Sequence, residues 1–220
     1  KILFDLPRIL SKEYLLANGV TFKYGETAAS FEKENGAVTK VITNKEAYTA
    51  DDVVIATGAW SKEIAALVDA KISLMPGRGY SLTLENSIYK VNHPMILAEG
   101  RVAITPMDGN KIRFGGTMEV VPTTAKPQYH RIEGVLKAVK DFLPEFDIAK
   151  PLEEDIWYGY RPCSADGLPY IGKIKEYNNV VIATGHSMMG LSLGPGTGKL
   201  VSQLINREPT SIDIKSFEVE

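Results

Sequence analysis

The chain has 220 residues, 44% of them apolar and 24% charged, and a formal net charge of -2 at neutral pH. That length buries a sizeable core without staples, and that composition excludes a disordered polymer. The charge balance excludes a nucleic-acid-binding field, and the single Cys163 excludes a disulfide framework or a Cys-rich metal site. No apolar run reaches the roughly 18 residues of a spanning helix.

The chain opens at Lys1, inside an apolar segment, and reads as a fragment of a longer protein. Asp5 to Gly19 is expected to be helical, with Asp5 as N-cap, Pro7 in the first turn and Gly19 as the stop. Strands are expected at Val20–Tyr24, Thr27–Lys33 and Ala37–Thr43, the last two joined at Asn35-Gly36, a strong hairpin signal. Val53–Ala56 has no polar alternation and reads as a strand buried on both faces, followed by a helix over Lys62–Val68.

From about Pro76 to Tyr160 the texture becomes antiparallel. Gly79–Glu85 alternates, and Arg101–Met107 and Lys111–Thr117 flank the turn Asp108-Gly109-Asn110. One helix interrupts this region, with Ile132, Val135, Leu136, Val139, Phe142 and Leu143 on one face and Pro144 as its stop. Val180–Ala183 is a second buried strand; a glycine-rich loop and a helix from about Gly196 to Asn206 follow. The fold class expected is therefore mixed α/β (α+β), part Rossmann-like sheet and part antiparallel sheet with flanking helices.

The hexapeptide Val-Val-Ile-Ala-Thr-Gly occurs twice, at Val53–Gly58 and at Val180–Gly185. Two similar strand ends, each delivering a glycine where the backbone approaches something closely, are expected in one α/β sheet, where ligands bind at the C-terminal strand ends. The stretch from Gly185 to Lys199 holds five glycines, but it is not a P-loop, because Leu193 and Leu200 stand where that motif needs Gly and Ser or Thr. A strand, a glycine loop and a helix N-terminus remain, an arrangement that favours negative charge.

Trp157-Tyr158-Gly159-Tyr160-Arg161-Pro162 places an arginine among aromatic rings. Arg161 there suits capture of a carboxylate, and by itself the segment suits a stacked structural arginine equally well. Arg78, in Pro76-Gly77-Arg78-Gly79-Tyr80, reads as part of a turn, and Arg101 and Arg113 as exposed strand residues. His186 lies inside the candidate site without the acidic or thiol neighbours of a metal centre, whereas His93 and His130 read as solvated. Met118 and Cys163 read as buried on residue type alone.

Taken together, five strings resemble the FAD-dependent D-amino-acid dehydrogenase and glycine oxidase family. They are Asp52–Ser61, Phe114–Glu119, Trp157–Pro162, Asp166–Gly172 and Gly185–Gly198, in the family's order and spanning nearly the whole chain. The resemblance is nearest to the D-amino-acid dehydrogenase branch. It implies an FAD-binding domain built from residues 1–74 and 163–220, and an antiparallel roof over the flavin and substrate at 75–162. The N-terminal Gly-x-Gly-x-x-Gly segment that grips the FAD pyrophosphate has no counterpart in this chain, so that segment is the partner the fragment is expected to need.

Residue by residue, the resemblance assigns Arg161 to the substrate carboxylate and Met188 to the substrate side of the site. It assigns Gly185, His186, Ser187, Met189, Gly190, Leu191 and Ser192 to the loop around the flavin ring, with Thr57, Gly58 and Met118 also at the cofactor. Ala28 matches a backbone contact on the adenosine side. Glycine oxidases carry an arginine where this chain has Met188 and an aromatic residue where it has Ala103, which argues against glycine as substrate. The implied activity is oxidation of a D-amino acid to a 2-oxo acid and ammonia, with a quinone or another carrier as electron acceptor. The implied location is the cytoplasm or the cytoplasmic membrane face. A glycine- or sarcosine-type oxidase, and a non-catalytic binding module that holds no FAD by itself, are the alternatives.

Overall fold

A computed structural model describes residues 2–3 and 12–219. Strand β1 (Ile2–Leu3) pairs in parallel with β2 (Thr21–Phe22), and helix α1 (Lys12–Ala17) lies between them in sequence. The expected helix start at Asp5 and Pro7 falls outside the described residues. Its expected end holds: Gly19 takes a φ of 76°, and Val20 N–H reaches back to the Leu15 carbonyl.

Strands β3 (Ala28–Glu34), β4 (Ala37–Thr43) and β5 (Ala47–Thr49) form an antiparallel sheet. Asn35 and Gly36 both have positive φ, 50° and 75°, the geometry of the tight hairpin that their sequence announces. Strand β6 (Val53–Ile55) leads through a short 3₁₀ turn at Gly58–Trp60 into α2 (Ser61–Ala66).

A five-stranded antiparallel sheet follows. Its strands are β7 (Leu74–Leu84), β8 (Met95–Leu97), β9 (Val102–Met107), β10 (Lys111–Val120) and, after α3 (Ile132–Phe142), β11 (Ile156–Ser164). The order across the sheet is β11-β7-β10-β9-β8. Pro76-Gly77-Arg78-Gly79-Tyr80 is therefore the middle of an eleven-residue central strand and not a turn. A central strand tolerates Pro76 because its carbonyl accepts from Val121 N–H, away from β11, where it stands opposite Pro162. The missing N–H of each proline thus falls outside their shared ladder.

Strands β12 (Tyr170–Lys173) and β13 (Val180–Thr184) complete a third sheet of order β12-β13-β6, and α4 (Gly190–Ile205) follows. The twin hexapeptides lie side by side in parallel and in phase, Val180 opposite Val53, Val181 opposite Val54 and Ile182 opposite Ile55. Of the two, only β13 is buried on both faces: α4 packs on β12 and β13 and leaves Val54 of β6 39% exposed. Helix α4 begins at Gly190, six residues earlier than the glycine content suggests, with Pro195 inside it.

Buried apolar side chains fall into two clusters. One holds Val53, Ile55, Val68, Leu74, Val180 and Ile182; the other packs Tyr80, Leu82, Ile104 and Phe114 of the five-stranded sheet against Ile132, Val135 and Val139 of α3. Strand β7 contributes to both. Among the described residues, no helix is long and apolar enough to cross a membrane.

Candidate active site

The five-stranded sheet is dense and apolar on its α3 face and nearly bare on the other. On the bare face β7 presents Gly77, Gly79 and Ser81, with Gly159 and Arg161 of β11 on one side and Gly115 of β10 on the other. The absent side chains leave a cleft of about 340 Å³, lined by Gly79, Ser81, Arg113, Trp157, Gly159 and Arg161 among others.

Two of these glycines are required by their neighbours. A Cβ on Gly79 would strike the Arg161 guanidinium, and a Cβ on Gly159 would strike the Trp157 indole. Arg161 therefore lies across the floor over Gly79, and Trp157 leans over Gly159 as a wall. Arg161 is half-buried and, among the described residues, has no acidic or hydrogen-bond partner for its guanidinium. An arginine with an unspent planar fork, in a cleft, has the geometry to receive a carboxylate.

Arg78, one residue from that floor but on the opposite face, has the structural role that the sequence left open for Arg161. It is wholly buried, ion-paired to Glu119 at 2.7 Å, and donates to the Ala125 and Lys126 carbonyls at 2.6 and 2.8 Å. The rings of Tyr80, Tyr158 and Tyr160 surround it at 5.7 to 5.9 Å. Burial pushes the Glu119 carboxyl up, but hydrogen bonds from Tyr80 and Arg78 outweigh it and hold the group below the usual carboxylate range.

A β-bulge at Thr117 sets both sides of this arrangement. The register shifts between Gly116 and Met118, Thr117 takes a φ of 54°, and Arg131 donates to its hydroxyl at 2.9 Å. The shift places Glu119 opposite Arg78 and Met118 opposite Gly79. Met118 is therefore not core: it is 41% exposed, with its sulfur above Gly77.

The ends of β6 and β13 meet this site from the neighbouring sheet. Gly58 and Gly185 both have positive φ, 58° and 86°, so the twin motifs turn in the same way. A hydroxyl chain, buried at Ser61 and Thr184, ties them: Thr57 to Ser61 at 3.1 Å, Ser61 to Thr184 at 3.0 Å, and Thr184 to the Gly58 carbonyl at 3.2 Å. His186 bridges to Cys163 of β11 through the backbone, and Cys163 Sγ lies 3.6 Å from Ser187 Oγ. Cys163 is thus half-buried at the junction. His186 Nε2 meets Thr197 Oγ1 of α4 at 2.8 Å, and burial pushes its pKa down, so the imidazole is neutral at pH 7 and engaged in positioning.

Of the residues singled out from sequence, Arg161, Cys163, Met118, Gly185, His186 and Ser187 come together here. Met188 and Met189 follow in a 3₁₀ turn, and Gly190, Leu191 and Ser192 are the first turn of α4 rather than a loop. Ala28 opens β3 opposite Thr43, in a sheet that contributes nothing to the cleft. His93 and His130 are exposed, as expected. Arg101 precedes β9 in a turn, while Arg113 lines the cleft; the glycine floor, Trp157 as a wall and Arg113 were not legible as a site before the strands were paired.

Met118 over Gly77, and Met188, Met189 and Leu191 in the turn and helix start that follow Gly185, are all well exposed. An apolar rim beside two left-handed strand-end glycines can hold the flat ring of a flavin, so the residues present fit the ring end of FAD.

This is the architecture of a flavin-dependent oxidoreductase, and the chain belongs to the DAO family of FAD-dependent oxidoreductases, whose profile matches residues 11–204. It is similar to D-amino acid dehydrogenases from Helicobacter pylori, 30% identical over 88% of this chain and 46% of that protein, and from Neisseria gonorrhoeae, 32% identical over 88% and 46%. Among solved structures it is similar to glycine oxidase from Geobacillus kaustophilus, with a TM-score of 0.82, 25% identity, and coverage of 93% of this chain and 54% of that one. L-proline dehydrogenase from P. horikoshii gives a TM-score of 0.80 at 26% identity, over 92% and 55%. The chain spans about half the length of the curated relatives it matches.

Proposed function

We propose that the protein carrying this chain oxidises a D-amino acid to its imino acid, which hydrolyses to a 2-oxo acid and ammonia. The observation that carries this is the Arg161 guanidinium, unpartnered on a glycine floor and shaped for an α-carboxylate. The likeness to D-amino acid dehydrogenases along nearly the whole chain supports it.

When bound, FAD would supply the hydride acceptor for oxidation at the substrate Cα. The chain's own residues orient the reactants. Arg161 holds the carboxylate; Gly79 and Gly159 leave room for the Arg161 guanidinium and the Trp157 indole, and Trp157 shields one side of the substrate from water. Thr57, Gly58, Gly185, Ser187 and the apolar Met118, Met188, Met189 and Leu191 would hold the ring end of the cofactor, with Gly190 and Ser192 beside them. His186, neutral and tied to Thr197, fixes α4 against the turn after Gly185.

In this reading residues 1–74 and 163–220 belong to the FAD-binding part, Ala28 faces its adenosine side, and residues 75–162 form the roof. The electron acceptor is a quinone or another carrier. D-amino acids should bleach the flavin absorbance of the FAD-loaded protein anaerobically, and Arg161→Lys should lower kcat/KM at least a hundredfold with little change in melting temperature. Bleaching by glycine or sarcosine alone would move the assignment to a glycine-type oxidase. Hydrogen peroxide formed as fast as added quinone is reduced would make it an oxidase.

A further inference from the structure

Arg113 lies on the same bare face as Arg161, at the other end of the cleft. Its Nε donates to Thr83 Oγ1 at 3.1 Å, which fixes the stem and leaves both terminal nitrogens without a partner among the described residues. The cleft lining contains these two cations and no acidic side chain. Two guanidinium groups without an acidic partner thus face one cleft from its two ends.

The span between them selects a ligand length. Arg161 lies over Gly79 and Arg113 is anchored at Thr83, four residues further along one strand, roughly 13 Å apart at about 3.3 Å per residue. Allowing roughly 4 Å at each end for a bidentate guanidinium–carboxylate contact leaves about 5 Å between the two carboxyl carbons. A five-carbon dicarboxylate has that span. We propose that the substrate is a D-amino acid bearing a side-chain carboxylate, held at its α-carboxylate by Arg161 and at its side-chain carboxylate by Arg113. This rests on the reading of Arg161 as the α-carboxylate anchor, and Ser81 and Thr105 line the span between the two cations.

The test is calorimetric titration of the FAD-loaded protein with glutarate and with butyrate, alongside turnover of D-glutamate and of its uncharged isostere D-glutamine. Glutarate should bind at least tenfold more tightly than butyrate, and D-glutamate should have the lower KM. R113Q should lower glutarate affinity about tenfold and erase the difference between the two acids, with unchanged circular dichroism because Arg113 is exposed. R113E should reverse the preference towards 5-aminopentanoate. Equal binding of glutarate and butyrate to the unaltered protein, with R161Q weakening both, would overturn the role of Arg113 and leave the Arg161 anchor standing. If R161Q weakens neither acid, the anchor fails and this inference fails with it.

Discussion

Arg78 and Arg161 stand on opposite faces of one sheet and differ in what they touch. Arg78 has its fork filled by Glu119 and two carbonyls, whereas the Arg161 fork lies over glycine. Gly79→Ala would push a methyl group into the Arg161 guanidinium, which is the far end of a flexible side chain and can move aside. The expected result is a KM for the amino acid raised about tenfold, equivalent to about 1.4 kcal/mol, with the melting temperature nearly unchanged. Steady-state kinetics beside a thermal melt distinguishes this from simple destabilisation. Glu119→Gln acts the other way: it leaves a buried guanidinium without its counter-charge and should cost about 3 kcal/mol in urea denaturation. Because the folded carboxyl of Glu119 lies below the ordinary value of about 4.3, its contribution is fully present above that pH. It is lost as pH falls through the lowered folded value, so E119Q should show a shallower acid limb in a stability–pH profile.

Helix α4 shows where local preference and structure part. Gly190, Gly194, Pro195, Gly196 and Gly198 all disfavour a helix, so residues 185–196 read as a loop in sequence. The structure nevertheless carries the helix back to Gly190, held by Leu200 in the core and by the His186–Thr197 hydrogen bond. A Cβ on Gly196 meets nothing within 4 Å. Gly196→Ala should therefore stabilise the protein by about 1 kcal/mol through helix propensity. Gly185→Ala should destabilise it by about 1–2 kcal/mol, because its φ is 86° and the Tyr170 ring would lie 3.3 Å from the new methyl group. Thermal unfolding of the two variants checks both signs at once. Strand β7 misleads in the same manner, since its Pro and Gly residues are turn-formers in sequence and a cleft floor once paired. The hairpin at Asn35-Gly36, the twin strand ends and α3 were legible because their signals are local: a turn pair, a repeated strand and an apolar stripe. The bulge at Thr117, Arg113 at the cleft and the buried Arg78–Glu119 pair depend on register between distant strands, which composition and spacing do not encode.

At the scale of the molecule, the two apolar clusters share one continuous strand. Leu74 of β7 packs in the first cluster, and Tyr80 and Leu82, six and eight residues later, pack in the second. The aromatic contact of Trp60 with Tyr160, with ring centroids 6.0 Å apart, and the His186–Cys163 bridge join the same two regions. A strand cannot leave one cluster without withdrawing its neighbouring residues from the other, so the sheets are mechanically coupled and the cleft on the β7 face keeps its shape. The expected consequence is one cooperative unfolding transition. In urea, far-UV ellipticity reports all sheets together, while tryptophan emission reports Trp60 at the junction and Trp157 in the cleft. The two curves should coincide, with a single midpoint and a single slope. Trp60→Ala removes one of the links but not β7, so it should lower the midpoint without splitting the transition. A tryptophan signal that changes well before the ellipticity would show that the regions separate first, and that β7 does not transmit stability from one cluster to the other.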